Sequence, residues 1–279
     1  MNNSFVFFGT PYVARDTLAY LLEHGYTPQL VVTSPDAPRG RGMVLTPCET
    51  KVLAQEHNLP VFSPEKLNEE AREHIRSFNA EYAIVVAYGK IFPRSFFELF
   101  PKGMLNVHYS LLPKLRGASP VETALLMGDT TTGVTVQKMV HEMDAGDIVA
   151  QTSVPIEETE TTRELRRRLV GIGAELLVRT LPSYLNSTAS LTAQHPDDAT
   201  FCHKLEKKDG EVTLGENDEK NWRTYRAFTE AGGTYFFTER NGICVRVKII
   251  SAKFTNGVFT PLRVIPEGKK EMDYADFVK

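Results

Sequence analysis

The spacing of apolar positions changes character along the chain, and each change marks an element. Phe5-Val-Phe-Phe8 is an unbroken apolar run, as in a strand buried on both faces, and Gly9-Thr10-Pro11 turns the chain out of it. From Tyr12 to His24 the residues Val13, Leu18, Leu21 and Leu22 fall at helical spacing, and Gly25 is a natural stop. Gln29 to Thr33 then reads as a strand, Glu49 to Glu56 as a helix and Pro60 to Phe62 as a short strand. Ser63-Pro-Glu has the N-cap and the helix-initiating proline of a further helix. Tyr82 to Ala87 is another continuous apolar strand, Gly103 to Val107 a β-type run and Pro120 to Met127 a helix ended by Gly128. Thr132 to Val140 is a β-branched strand and Ile148 to Ile156 a further one. A long amphipathic helix begins near Thr161 with Leu165, Leu169, Ile172, Leu176, Leu177 and Leu181 on one side; Pro182 ends it between Leu181 and Leu185. This alternation predicts an α/β domain over residues 1–185, a Rossmann-like, doubly wound and mostly parallel sheet.

Beyond it the period shortens. Asn186 to Ala199 is rich in Ser, Thr, Asp and Pro, so 186–203 reads as a linker. Residues 204–279 hold strand patterns at Glu211–Leu214, Thr234–Thr238, Cys244–Ile250 and Val258–Thr260, with Asn241-Gly242 and Asn256-Gly257 as hairpin signals. One short helix is predicted from Asn221 to Thr229 and a helical turn within Met272–Val278. A small β-barrel module is expected there.

Composition narrows the classes. With 279 residues, 42% hydrophobic and 24% charged, the chain has the make-up of an ordinary globular protein. A net charge of −3 leaves no general nucleic-acid footprint, so any RNA contact must be local. No apolar stretch approaches the length that spans a bilayer, and the N-terminus lacks a basic region followed by an apolar core; no membrane contact and a cytoplasmic location are expected. Cys48, Cys202 and Cys244 are widely spaced, and the seven histidines show no paired ligand spacing, so free thiols and no metal are expected.

The candidate chemistry gathers at Asn106-Val-His108. On a strand, residues i and i+2 face the same side, which lets an amide donor and an imidazole converge on one ligand. Taken alone, the pair would more simply be polar residues finishing a strand. Ser110, Leu111, Leu112, Pro113 and Gly117 follow at once and make a shaped loop. After the strand at Thr132–Val140, Asp144 sits in a loop closed by Gly146; the spacing alone does not separate it from Asp147 or Glu142, and Asp-Ala-Gly-Asp is also good turn chemistry. Gly9, Thr10 and Pro11 could face an anion at a helix start, or be a plain strand-to-helix turn; they do not form a dinucleotide fingerprint. Ser34 to Cys48 is a Pro/Gly-rich loop in which Arg39 and Arg41 flank a glycine, suited to phosphate or a folded RNA end, or simply solvated.

Ser110-Leu-Leu-Pro-Lys-Leu-Arg-Gly-Ala-Ser-Pro120 resembles the signature loop of the folate-dependent formyltransferases, with Asn106 and His108 placed as in that family. Met139 to Asp147 resembles the segment that supplies the third member. The resemblance implies the formyltransferase fold, with Asn106, His108 and Asp144 as the catalytic triad and 10-formyltetrahydrofolate as formyl donor. It further implies folate contacts from Ser110, Leu111, Leu112 and Pro113 and a pterin pocket built on the backbone of Val86, Ala87, Tyr88 and Gly89. The loop holding Arg39-Gly-Arg41 is similar to the insertion that methionyl-tRNA formyltransferases set beside the active site. That points to initiator methionyl-tRNA as acceptor in translation initiation, with Gly9, Thr10, Pro11, Arg39 and Arg41 on the substrate side, an OB-like C-terminal barrel and a monomeric enzyme. An N-formyltransferase acting on a nucleotide-linked amino sugar would use the same triad without needing the arginine loop. From a different class, a folate- or RNA-sensing protein would keep the pocket without turnover.

Overall fold

Phe5 and Phe7 face one side of the first strand, Val6 and Phe8 the other, and all four are fully buried, so the sheet around them is covered on both faces. The computed structural model describes residues 4–40, 42–240 and 242–279. In chain order its elements are β1 (Phe5–Gly9), α1 (Tyr12–Glu23), β2 (Leu30–Val32), β3 (Ala37–Arg39), β4 (Val44–Thr46), α2 (Glu49–Glu56), β5 (Val61–Phe62) and α3 (Glu69–Arg76). Then come β6 (Tyr82–Val86), α4 (Arg94–Phe97), β7 (Met104–His108), β8 (Arg116–Gly117), α5 (Pro120–Met127), β9 (Thr131–Lys138), β10 (Ile148–Pro155) and α6 (Thr162–Leu185). The remainder is β11 (Phe201–Cys202), α7 (Asp218–Ala227), β12 (Tyr235–Arg240), β13 (Ile243–Thr255), β14 (Val258–Pro266), β15 (Met272–Asp273) and α8 (Tyr274–Phe277).

The main sheet has the order β10-β9-β7-β6-β1-β2-β5. β1 runs parallel to β2 and β6, β2 to β5 and β6 to β7, while β9 is antiparallel to β7. Crossover helices therefore cover the parallel part, as the alternating pattern predicted. On one face Val6, Phe8, Ala83 and Val85 pack with Ile75 of α3 and Phe96 of α4. The helix expected from Ser63 begins six residues later, at Glu69, where the Asn68 side chain accepts from the Ala71 amide at 3.0 Å. Ser63 is engaged elsewhere, its hydroxyl 2.8 Å from that of Thr33, and the carbonyls of Pro64 and Glu65 accept from Lys90 instead of opening a helix. Part of the loop read between Ser34 and Cys48 is a β3–β4 hairpin.

The chain falls into two compact units, each made of three segments: Met1–Arg116 with Gly133–Val154 and Arg167–Thr200, and Gly117–Thr132 with Pro155–Arg166 and Phe201–Lys279. The expected division placed α5 and residues 155–166 with the first domain, and side chains explain their grouping with the C-terminal segment. Arg166 bridges Glu122 and Glu230, and Thr162 Oγ1 donates to the Ala227 carbonyl at 2.8 Å. In the second unit β12-β13-β14-β15 form a four-stranded antiparallel sheet, the small β domain that the strand patterns predicted. Phe236, Val247, Ile249, Phe259 and Val264 fill its core, with Trp222 and Tyr225 of α7 packed on it. Asn256 and Gly257 take φ of 53° and 77°, as a tight hairpin needs. Glu211–Leu214 forms no strand; only Glu211 bridges to Tyr235. Asn241 of the other hairpin lies outside the described residues. Among the described residues no helix is long and apolar enough to cross a membrane, and no group of three His, Cys, Asp or Glu is placed to hold a metal.

Candidate active site

The ends of β1, β6 and β7 stand in register. Gly9 lies beside Val86, Val85 beside Asn106, and Asn106 beside Gln137 of β9. The predicted Gly9, Val86, Asn106 and His108 thus meet at the carboxyl edge of the parallel strands, where such sheets place their chemistry. Gly9 is there because nothing larger fits: an added Cβ would lie 2.4 Å from the Ala14 Cβ of α1.

His108 is buried, only 6% exposed, with both ring nitrogens spoken for. Nε2 is 2.9 Å from the Leu115 carbonyl, which can only accept, so Nε2 carries a proton. Nδ1 faces Asp144 Oδ1 at 3.6 Å. The turn that brings the Leu115 carbonyl back to His108 has Leu115 itself at φ of 58° and a cis bond between Leu112 and Pro113. Its interior is bonded throughout. Ser110 Oγ donates to the Lys114 carbonyl at 2.6 Å, and Thr135 Oγ1 donates to the Ser110 carbonyl at 2.7 Å. Gln151 Nε2 donates to the Leu112 carbonyl at 2.9 Å, and the Leu115 amide to Thr200 Oγ1 at 2.9 Å. Ser110 and Leu112 are buried, so this loop is a rigid support for the imidazole.

Asp144 adopts a left-handed backbone, φ 50°, and its carboxylate accepts from Gln137 Nε2 at 2.8 Å. Its carbonyl and that of Gly146 accept from Gln194 Nε2 at 2.8 and 2.6 Å. Gly146 is required at its position, since an added Cβ would stand 1.8 Å from the Lys138 carbonyl oxygen. In the sequence Asp144 stands out only through the resemblance, and Gln137, Gln194 and the role of Arg116 do not stand out as site residues. Thr135 and Gln137 did leave a signal, two polar residues at strand period alternating with Val134 and Val136. Gln194, inside a Ser/Thr/Pro-rich stretch, left none.

A cavity of about 170 Å³ opens beside Asp144. Ile91, Phe97, Met139 and Met143 give it apolar walls, and Lys90, Gln137 and Asp144 give it polar points. Val86 to Gly89 lead straight into that wall, with Ala87 and Gly89 at φ of 46° and 80° and both exposed. Tyr88 between them turns into the core, its ring 5.4 Å from Phe8, and burial pushes its phenol well above the ordinary tyrosine range. Ser110 to Pro113 do not line this cavity. Lys90 donates to the Glu65 carbonyl at 2.8 Å, and desolvation lowers its ammonium from the usual lysine value against the opposing charge of Glu65. Thr10 Oγ1 lies 3.1 Å from Ser34 Oγ and 3.3 Å from the Tyr88 carbonyl, joining the turns after β1, β2 and β6, and Pro11 caps α1. Arg39 ends β3 opposite Val44. Arg41 lies outside the described residues.

Residues 2–181 match the formyl transferase family. The methionyl-tRNA formyltransferase of Halalkalibacterium halodurans is 34% identical over 305 residues, covering 98% of this chain and 93% of that protein. Among solved structures, the methionyl-tRNA formyltransferase from Clostridium thermocellum is similar at a TM-score of 0.62 and 15% identity, over 98% of this chain and 100% of that one. An N-formyltransferase from Helicobacter canadensis, solved with folinic acid and dTDP-3-aminofucose, is similar at 0.66 and 21% over 92% and 89%; both structures show the same fold. The chain belongs to the formyl transferase family, among the methionyl-tRNA formyltransferases.

Proposed function

We propose that the chain transfers the formyl group of 10-formyltetrahydrofolate to the α-amino group of initiator methionyl-tRNA, with Asn106, His108 and Asp144 performing the chemistry. The observation that supports this most is the His108–Asp144 pair at 3.6 Å, set two residues from Asn106 and beside an apolar-walled cavity. That cavity suits a flat heterocycle: thioether and aromatic walls with a carboxylate and an amide at one end. It takes the ring end of the folate, approached along Val86 to Gly89, with Ser110 to Pro113 bracing the imidazole. Gly9, Thr10, Pro11, Arg39 and Arg41 are assigned to recognition of the acceptor.

In the reaction the amine attacks the formyl carbon, the carbonyl oxygen gains charge, and the bond from that carbon to the donor nitrogen breaks. Asn106 supplies an amide N–H to the developing oxyanion. Because Nε2 of His108 stays on the Leu115 carbonyl, Nδ1 is the nitrogen whose protonation changes, and Asp144 balances the charge there. Asp144 also accepts the amine proton as the new bond forms, and that proton passes to the donor nitrogen as its bond to the formyl carbon breaks, so tetrahydrofolate leaves neutral at that nitrogen. Residues 1–185 carry the three reacting side chains, 186–203 link and also brace the Asp144 loop through Gln194, and 204–279 contact RNA; the enzyme works as a monomer in the cytoplasm.

Formyl transfer to charged initiator tRNA, run beside a panel of nucleotide-linked amino sugars, tests the reading. Transfer to the tRNA that weakens with Arg41→Ala is expected. Transfer only to a sugar, indifferent to Arg41, overturns the acceptor.

A further inference from the structure

The segment around Gln194 has the composition of a linker, yet it is stitched to the Asp144 loop. Ile148 and Thr192 exchange both backbone bonds, at 2.8 and 2.9 Å. Two residues on, the Gln194 amide is fully engaged. Its oxygen accepts from Arg116 Nε at 3.0 Å and Nη2 at 2.7 Å, and its nitrogen donates to the carbonyls of Asp144 and Gly146. One side offers only donors and the other only acceptors, which fixes the amide orientation. Arg116, 8% exposed, stands one residue beyond Leu115, whose carbonyl holds His108.

We infer that Gln194 is a positioning residue for formyl transfer: it holds the left-handed backbone of Asp144 and ties it, through Arg116, to the turn that orients His108. Without this tie a non-glycine residue at φ 50° has a reason to relax toward ordinary backbone, swinging its carboxylate from the imidazole. The inference rests on the proposed role of Asp144.

Gln194→Glu separates positioning from packing. The carboxylate keeps the shape and strengthens the bond to Arg116, but it turns a donor pair into repulsion against two carbonyls. Misplacement of a reacting group by about 1 Å can cost on the order of 100-fold. The expected result is a kcat lower by about tenfold to 100-fold, KM values for both substrates within about threefold, and a thermal midpoint no lower than that of Gln194→Ala. Gln194→Met, which loses all four bonds without adding charge, should lower kcat in the same sense. Wild-type kcat in either variant, or a loss of rate that simply follows a loss of thermal stability, overturns the inference. Asp144→Ala in the same assay distinguishes the failures: if it is inactive while Gln194→Glu is normal, the tie is wrong; if it is fully active, the reading of Asp144 is wrong.

Discussion

Gln137 stands opposite Asn106 across the β7–β9 ladder and donates from Nε2 to the Asp144 carboxylate at 2.8 Å. It is 1% exposed, and its Oε1 has no hydrogen-bond partner among the described residues, although the side chain borders the cavity. A hydrogen bond to a charged group contributes about 1.5–3 kcal/mol. Gln137→Met, of similar volume, should therefore lower kcat by about tenfold while the fold survives, since it removes the unpaired Oε1 together with the bond. Steady-state kinetics beside a thermal melt check this; an unchanged kcat would show that Asp144 is held well enough by its backbone.

Gly146→Ala should be far more damaging than its size suggests. The new methyl would meet the Lys138 carbonyl at 1.8 Å, so the Asp144 loop and the end of β9 must separate. Backbone conflicts of this kind destabilise by more than about 1 kcal/mol. Denaturant unfolding should show that loss, and the formyl transfer rate should fall with Asp144 displaced.

Arg166 in the second unit bridges Glu122, whose side chain is 9% exposed, and Glu230. Arg166→Ala removes the guanidinium from the buried Glu122 carboxylate, while the half-buried Glu230 keeps Arg163 at 3.8 Å, so the loss should approach but not exceed the roughly 3–5 kcal/mol that breaking a buried pair costs. Replacing Arg166, Glu122 and Glu230 together by apolar residues should recover most of the loss. Denaturation midpoints of the single and triple variants decide between ion pairing and simple packing.

At alkaline pH the buried phenols govern stability. Burial raises Tyr184 from 10.0 to about 12, and its hydroxyl donates to the Lys102 carbonyl. A group whose folded pKa is raised contributes stability that is complete below the unfolded value and is lost as pH climbs through the folded one. The protein should therefore weaken progressively above pH 10, and Tyr184→Phe should remove the part of that decline falling between pH 10 and about 12. Urea midpoints measured across that range give the answer.

What the sequence revealed follows from how local each cause is. The strands β1, β6 and β7 and the helices α1, α2 and α5 were readable because apolar period and a Gly or Pro stop lie within the same few residues. The start of α3 is not legible in the sequence because Ser63 and the Pro64 and Glu65 carbonyls find partners at Thr33 and Lys90, which no local pattern discloses. In the site, Asn106 and His108 were visible as strand neighbours. Asp144 needed the resemblance, and Gln194 reaches it across 50 residues of chain. Thr135 and Gln137 show in the strand period of β9, but a contact such as that of Gln194, made from an irregular segment, leaves no trace in spacing.

The most direct test is the rate of formyl transfer from 10-formyltetrahydrofolate to methionyl-tRNA in the wild type and in Asn106→Ala. Loss of one oxyanion donor typically lowers kcat by about 100- to 1,000-fold. A fall of that size in kcat with little change in KM for either substrate is expected. A variant that keeps its kcat and loses only affinity would contradict it, since Asn106 would then hold a substrate without stabilising the transition state.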